Sequence, residues 1–308
     1  MTTTPTAATT PAEALAPAAA STVTAAHLAA YRDAVRSALP ATDIPAARLA
    51  SPVHAFVLAH AVAEQTVTAL TAAETGPVSV VHLGQDIRCL RLVAPGERVT
   101  VRLDVLGARR EPRGTRVALR SRLTGDADGG AEPFAELLTS ALLVGATALD
   151  PFGDISAGAP APKPAGTGEP AVATHEVTEE WIARYARASG DLNPIHLDRD
   201  AARAAGFASV IAHGMSVVAL AVEEITDRYA EGDPARVRGI GARFSSPVAP
   251  GEPLRLELQP DAAGRVVRFT GRTPAGPAVK SGWVQLAGPG TDSGTDSGAA
   301  ATGGSHER

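Results

Sequence analysis

Between Gly214 and Tyr229 the run Val217-Val218-Ala219-Leu220-Ala221-Val222 is apolar on every side of a helical turn, and such a helix has to be enclosed. Gly214 opens it. Downstream the period shortens to two. Val237 to Phe244, Leu254 to Leu258, Arg265 to Thr270 and Val279 to Leu286 read as strands parted by Pro-Gly or Gly-rich turns, the second in strict alternation. A sheet with one apolar face must cover that face, and the apolar helix is the obvious partner. Upstream, residues 171 to 177 read as a strand. Thr178 is placed to cap a helix through Ala188, with Glu179 and Glu180 in its first turn and Trp181, Ile182 and Tyr185 on its apolar face. Asp198 can cap a second, short helix that Gly206 stops.

The same order of signals occurs earlier in the chain. Val78 to Leu90, Val99 to Val105, Thr115 to Leu123 and Phe134 to Val144 read as strands. Val93-Ala94-Pro95-Gly96-Glu97 recurs as Val248-Ala249-Pro250-Gly251-Glu252, and Thr24 to Tyr31 matches Thr178 to Tyr185 with Leu28 facing Ile182. Two anchors in register imply a duplicated unit, with a period far longer than a solenoid repeat. Residues 157 to 166, rich in Ala, Pro and Gly, read as a semi-stiff linker between the copies. The Ala/Thr/Pro composition of residues 1–20 and the Gly/Ser/Asp/Thr composition of 288–308 predict disordered tails, because neither holds enough bulky apolar surface to offset ordering entropy. The expected organisation is a tail over 1–20, a first domain over 21–150, a linker over 151–170, a second domain over 171–287 and a tail over 288–308.

Composition narrows the function. With 308 residues, 44% of them hydrophobic, the chain can bury a core in each half. A net charge of −5 argues against a nucleic-acid or anionic-membrane surface. Only Lys163 and Lys280 of the 28 basic residues are lysine, so an arginine here carries no inference of bidentate phosphate recognition. Cys89 is the single cysteine, which excludes an internal disulfide and a cysteine-based zinc site and suits a reducing compartment, the cytoplasm by default. The first thirty residues lack the charged segment of a secretory signal, and no apolar run reaches membrane-spanning length, so no membrane segment is expected. His54 and His60 flank an apolar stretch at a spacing that does not put both on one helical face. With no HExxH, GxGxxG or P-loop pattern, neither a metal nor a nucleotide cofactor is expected. Cys89 falls in a strand and reads as a small core residue.

The chemistry concentrates in Ser189-Gly190-Asp191-Leu192-Asn193-Pro194-Ile195-His196-Leu197-Asp198 followed by Ile211-Ala212-His213-Gly214-Met215. Asp191 and His196 stand five residues apart across an Asn-Pro turn, so one loop can aim both at a single water molecule. Near neutral pH a carboxylate is ionised and an ordinary imidazole largely neutral, so the pair offers two acceptors. Gly214, opening the buried helix, can present its N–H at the helix's positive end with no side chain in the way.

These two motifs, in this order, resemble the MaoC-like, R-specific enoyl-CoA hydratases of the hot dog fold. The likeness is close over residues 174–286 and weaker in the first half, which looks like the degenerate N-terminal hot dog of two-domain members. The resemblance implies an α+β, tandem (double) hot dog protein in which an antiparallel sheet wraps a buried central helix in each half. It implies a hydro-lyase that adds water reversibly to trans-2-enoyl thioesters, giving (R)-3-hydroxyacyl thioesters. Asp191, His196 and Gly214 would be catalytic, and Ser189, Asn193, His213 and Asp198 would bind substrate or support the site. The substrate would carry its own CoA or acyl carrier protein, with no cofactor and no metal, and double hot dogs could pair as a homodimer.

Set against the repeat, Asp191 falls opposite Arg36 or Ser37 and His196 opposite Ala41 or Thr42, so the first copy lacks the dyad. Pro52 and His54 stand near where the second copy has its helix entrance, predicting a broken or shortened central helix that leaves room for an acyl chain. An acyl-CoA thioesterase is an alternative, since hot dog domains host that reaction too. A non-catalytic subunit shaping an acyl tunnel is another.

Overall fold

Both copies build the same entrance to the sheet from local chemistry. The computed structural model describes residues 18–41, 50–130, 132–156, 158 and 160–288. In the first half these form β1 (Ala18–Thr22), α1 (Ala25–Arg36), α2 (His54–Leu70), β2 (Ser79–Cys89), β3 (Arg98–Glu111), β4 (Gly114–Gly125), β5 (Ala135–Val144) and β6 (Phe152–Gly153). The second half follows with β7 (Ala171–Glu176), α3 (Glu179–Ser189), α4 (Arg199–Ala204), α5 (Gly214–Tyr229), β8 (Val237–Phe244), β9 (Pro253–Pro260), β10 (Val266–Thr273) and β11 (Gly276–Leu286). Thr24 caps α1 by accepting from the His27 N–H, and Thr178 caps α3 by accepting from the Trp181 N–H. The repeated Pro-Gly turns do the same work in each copy. Gly96 (φ 86°) donates its N–H to Val23, and Gly251 (φ 83°) donates to Val177, each tying a turn to the residue before a helix cap.

The strands form one antiparallel sheet in the order β1-β3-β4-β5-β2-β8-β11-β10-β9-β7, with β6 added beside β3. The second half of that order mirrors the first, so the halves meet strand to strand where β2 pairs β8 from Gly84↔Arg243 to Arg88↔Gly239. Helix α5 is buried over Met215–Thr226, as its apolar run predicts, and packs on β8, β10 and β11. Its Ser216 and Thr226 hydroxyls donate to the carbonyls of His213 and Val222, so these buried polar side chains are satisfied.

Three expectations change. The break expected near Pro52 does not occur. Helix α2 runs unbroken over 17 residues, one more than α5, because Pro52 precedes its first turn, where a missing N–H costs nothing. It is less enclosed, with seven of its residues buried against twelve in α5. Residues 18–20, expected in the N-terminal tail, lie in β1. All five β1 residues are exposed, so backbone pairing to β3 holds this strand, which composition does not reveal. The tail positions 1–17 and 289–308, and Thr42, lie outside the described residues. The Pro-rich connection is pinned along the sheet. Phe152–Gly153 pairs with β3, Pro160 and Pro162 line a recess with Arg88 and Trp283, Ala165 bonds to Asp261 and Ala262 of the β9–β10 turn, and Gly168 donates to Pro260 at the end of β9.

The halves are also locked by charge. Arg32 and Arg36, one turn apart on α1, converge on Glu223 of α5. Glu223 Oε2 accepts from Arg32 Nε at 3.0 Å and Nη2 at 2.9 Å, and from Arg36 Nη1 at 2.8 Å. The Arg32 and Glu223 side chains are 2% and 1% exposed. Arg36 also reaches Asp227, one turn beyond Glu223, at 2.8 Å. Removing one partner of a buried pair leaves uncompensated charge in a poorly solvating interior, at about 3–5 kcal/mol. Glu223→Leu should therefore lower unfolding stability in urea by that amount, whereas Glu257→Gln, at an exposed ion pair, should change it by less than about 0.5 kcal/mol.

Candidate active site

The chain leaving α3 turns at once. Gly190 takes φ 78°, a left-handed helix end that suits glycine, and the Ser189 hydroxyl accepts the Asp191 N–H at 3.3 Å. Asp191 Oδ1 then accepts the Asn193 N–H, and Asn193 Oδ1 accepts the Ile195 N–H, both at 3.3 Å. These nested turns wind Pro194–His196 into a single 3-10 turn and bring His196 back toward Asp191. Asp198 caps α4, accepting from the Asp200 and Ala201 N–H groups at 2.8 Å, and those bonds hold its carboxyl below the usual carboxylate range. Its contacts are with α4 and not with the dyad.

His196 is fixed by its other nitrogen. Nδ1 lies 2.7 Å from the Ile211 carbonyl, an acceptor only, so Nδ1 carries the proton and Nε2 keeps its lone pair. Its ring stacks on His213 at 3.6 Å between centroids. His213 Nε2 lies 3.0 Å from the Asp191 carbonyl and donates to it, so His213 acts as a strut between the head of α5 and the Asp191 loop. Burial holds His196 below the usual imidazole range, and burial with the nearby His196 pushes His213 down to about 4. Both rings are neutral at pH 7. Asp191, His196 and His213 each offer a ligand atom, all within 4.8 Å of one another. A divalent cation could use that set, but a carboxylate oxygen and a neutral imidazole at that separation are equally spaced to share one water.

Gly214 begins α5, whose N-terminus has no side-chain cap, unlike α1 and α3. Its first-turn N–H groups therefore lack the side-chain acceptor that such helices often carry. A Cβ at Gly214 would meet the Phe244 ring at 2.7 Å, so glycine is what lets Phe244 close over the helix start. Phe244 leads to residues that motif reading missed. It packs on His82 of β2 at 4.7 Å, and His82 stacks on Phe56 of α2 at 5.7 Å. Burial pushes His82 down to about 4. His60, one turn after Phe56, places Nε2 3.9 Å from Asp191 Oδ1. The first half thus puts His60 beside Asp191, with Phe56 and His82 packed next to it. For Phe56 and His60 the signal in the sequence was a stripe at helical spacing, Phe56-His60-Ala63-Val67, and in the structure each member is half-buried.

The two halves are hot dog units in tandem, a double hot dog. Residues 162–272 match the family model of the MaoC like domain. The chain is 34% identical over 120 residues to the peroxisomal enoyl-CoA hydratase 2 of Arabidopsis thaliana, covering 39% of this chain and 38% of that protein. It is 29% identical over 192 residues to the 3-hydroxyacyl-thioester dehydratase Y of Mycobacterium tuberculosis, covering 62% and 65%. The MaoC-like dehydratase from Phytophthora capsici superposes with a TM-score of 0.67 at 20% identity, over 88% of this chain and 95% of that one. The chain spans less than two fifths of the length of the hydratase 2 and multifunctional enzyme relatives that it matches. Among the described residues no helix is long and apolar enough to cross a membrane. Cys89 is buried, its thiol pushed up to about 11 by burial, in keeping with a core role.

Burial holds four imidazoles neutral in the folded chain: His54 at about 3, His82 and His213 at about 4, and His196 below its usual range. In the unfolded chain they titrate near 6.5. As pH falls, the unfolded state takes up protons first, so their stabilising contribution declines from about pH 6.5, for His54, His82 and His213 until the folded rings titrate near pH 3–4. The thermal midpoint should fall between pH 7 and pH 4.5. His54→Phe should flatten that slope, and a slope unchanged in this variant would remove His54 from the account.

Proposed function

We propose that the chain is a hydro-lyase that reversibly hydrates trans-2-enoyl thioesters to (R)-3-hydroxyacyl thioesters. The observation that carries this reading is the pairing of the Asp191 carboxylate with a His196 whose Nδ1 is committed to the Ile211 carbonyl, beside the uncapped head of α5. Hydration needs a base for water, an acid for the α-carbon and a donor for the oxyanion that develops on the thioester oxygen. In this reading a water is held between the Asp191 carboxylate and His196 Nε2. Its oxygen bonds to the β-carbon as the dyad takes one proton, and the dyad returns a proton to the α-carbon from the same face. The net change is one water added across the double bond, and the reverse sequence expels it. The Gly214 N–H meets the thioester oxygen, where one such donor is worth about 3 kcal/mol in the transition state. The R configuration rests on the family likeness.

Asn193 and Ser189 hold the loop, and His213 holds it to the helix. In this reading the acyl chain lies along the half-buried Phe56-His60-Ala63-Val67 stripe of α2, whose His60 Nε2 stands 3.9 Å from Asp191 Oδ1. CoA or acyl carrier protein is the carrier, no further cofactor takes part, and the site of action is the cytoplasm. Two double hot dogs can associate without completing the site, because one chain supplies every group named.

The test is hydration of trans-2-enoyl-CoA of several chain lengths, with chiral analysis of the product and thiol release followed in parallel. His196→Ala and Asp191→Asn should each lower hydration at least about 100-fold while the thermal midpoint stays close to that of the unaltered protein. Near-normal turnover in either variant, or thiol release in place of hydration, would overturn the assignment.

A further inference from the structure

His60 lies outside the sequence motifs, and it belongs to the half that lacks the dyad. Its side chain is 16% exposed, and its Nε2 is buried without a hydrogen-bond partner. That nitrogen stands between two carboxylates, 3.4 Å from Glu64 Oε1 one turn further along α2 and 3.9 Å from Asp191 Oδ1. Neither approach is a made hydrogen bond. A single N–H there can serve one of them at a time, and catalytic hydrogen bonds that are long in a ligand-free protein commonly close when substrate binds. Asp191 is held unevenly. Oδ1 already takes the Asn193 N–H, whereas His213, whose Nε2 lies 3.9 Å from Oδ2, spends its Nε2 proton on the Asp191 backbone carbonyl.

We propose that His60 is a positioning residue for Asp191: its Nε2–H closes on Oδ1 when an acyl thioester fills the pocket, leaving Oδ2 free to share the water with His196. This role rests on the hydratase reading. It makes the site composite, with the base from the second half and the group that orients it from the first. Glu64, 60% exposed, is the competing carboxylate on the solvent side. The acyl chain supplies the reason to close, since His60 sits in the stripe along which that chain lies and the ring shares this face with Phe56, 6.0 Å away. Because a phenylalanine keeps the ring's packing along that stripe and removes only the donor to Asp191, loss of the imidazole should be felt in turnover.

Steady-state hydration of trans-2-enoyl-CoA by the full chain tests this. His60→Phe keeps the ring and its packing but removes the donor, and should lower kcat about tenfold with KM within about twofold. His60→Gln, whose amide reaches as far as Nε2, should keep at least half of the original kcat, while the shorter His60→Asn should behave like His60→Phe. A ring with a packing role alone would give His60→Phe an unchanged kcat, and that result overturns the proposal. So does equal impairment of the Gln and Asn variants, a contrast that decides the matter even if His60→Phe fails to fold. His196→Ala run alongside separates the two levels. If the unaltered protein hydrates, His196→Ala does not and His60→Phe is normal, only the role of His60 falls. If the unaltered protein does not hydrate, the hydratase reading falls and this role with it.

Discussion

The buried carboxylate of Glu223 sets the frame of the molecule. It sits between Arg32 and Arg36, and its three short hydrogen bonds to them fix helix α1 of one half against helix α5 of the other. Desolvating such charges offsets much of their attraction, so the cluster contributes less to net stability than to excluding other arrangements. Two guanidiniums one turn apart can share one carboxylate at one rotation of α5 only. Gly214 lies nine residues before Glu223 on that helix, about 13 Å along it. Fixing Glu223 therefore also fixes where the head of α5 points and where His213 meets the Asp191 loop.

Around that lock the duplication is used unevenly. Both copies keep the Thr-capped helix, the Pro-Gly turn that ties to the residue before the cap, and the strand order, because these make the sheet. They part where the first helix ends. The second copy turns at Gly190 into the Asp191–His196 loop, while the first carries Arg36 in its last turn, buried against Glu223 and Asp227. With the two caps aligned, Arg36 stands opposite Gly190, so a residue that joins the halves ends the helix of the first copy where the second turns toward Asp191.

Much of the second half was legible because its signals are local. An apolar run on all faces, a glycine at its head, Thr178 and Asp198 as caps and strict alternation in β9 each state their structure within a few residues, and Gly214–Tyr229 and Val237–Phe244 follow that reading. The Asp191–His196 loop was legible for the same reason, since its turns are closed by bonds two residues apart. The first half was harder. Pro52 argues for a break only if it lies inside the helix, and it stands two residues before α2 begins at His54. Strand β1 carries no pattern, since backbone pairing on an edge asks nothing of the side chains.

His60 shows where local reading ends. Paired with His54 six residues away, it suggested only two rings on different helical faces, and that is how they lie: His54 packs on Tyr31, and His60 turns toward Asp191. Its meaning depends on a partner 131 positions further along the chain, brought near by the β2–β8 pairing and the Glu223 lock together. Neither is visible in any window around residue 60. A site assembled across such a seam needs the seam to be rigid, since the separation of His60 from Asp191 can be no better defined than the docking of one half on the other. This gives a physical reason for placing two buried arginines on one glutamate, where an apolar contact would bury the same surface but tolerate rotation of α5. The degenerate half thus both orients the site and carries the contact that holds that orientation.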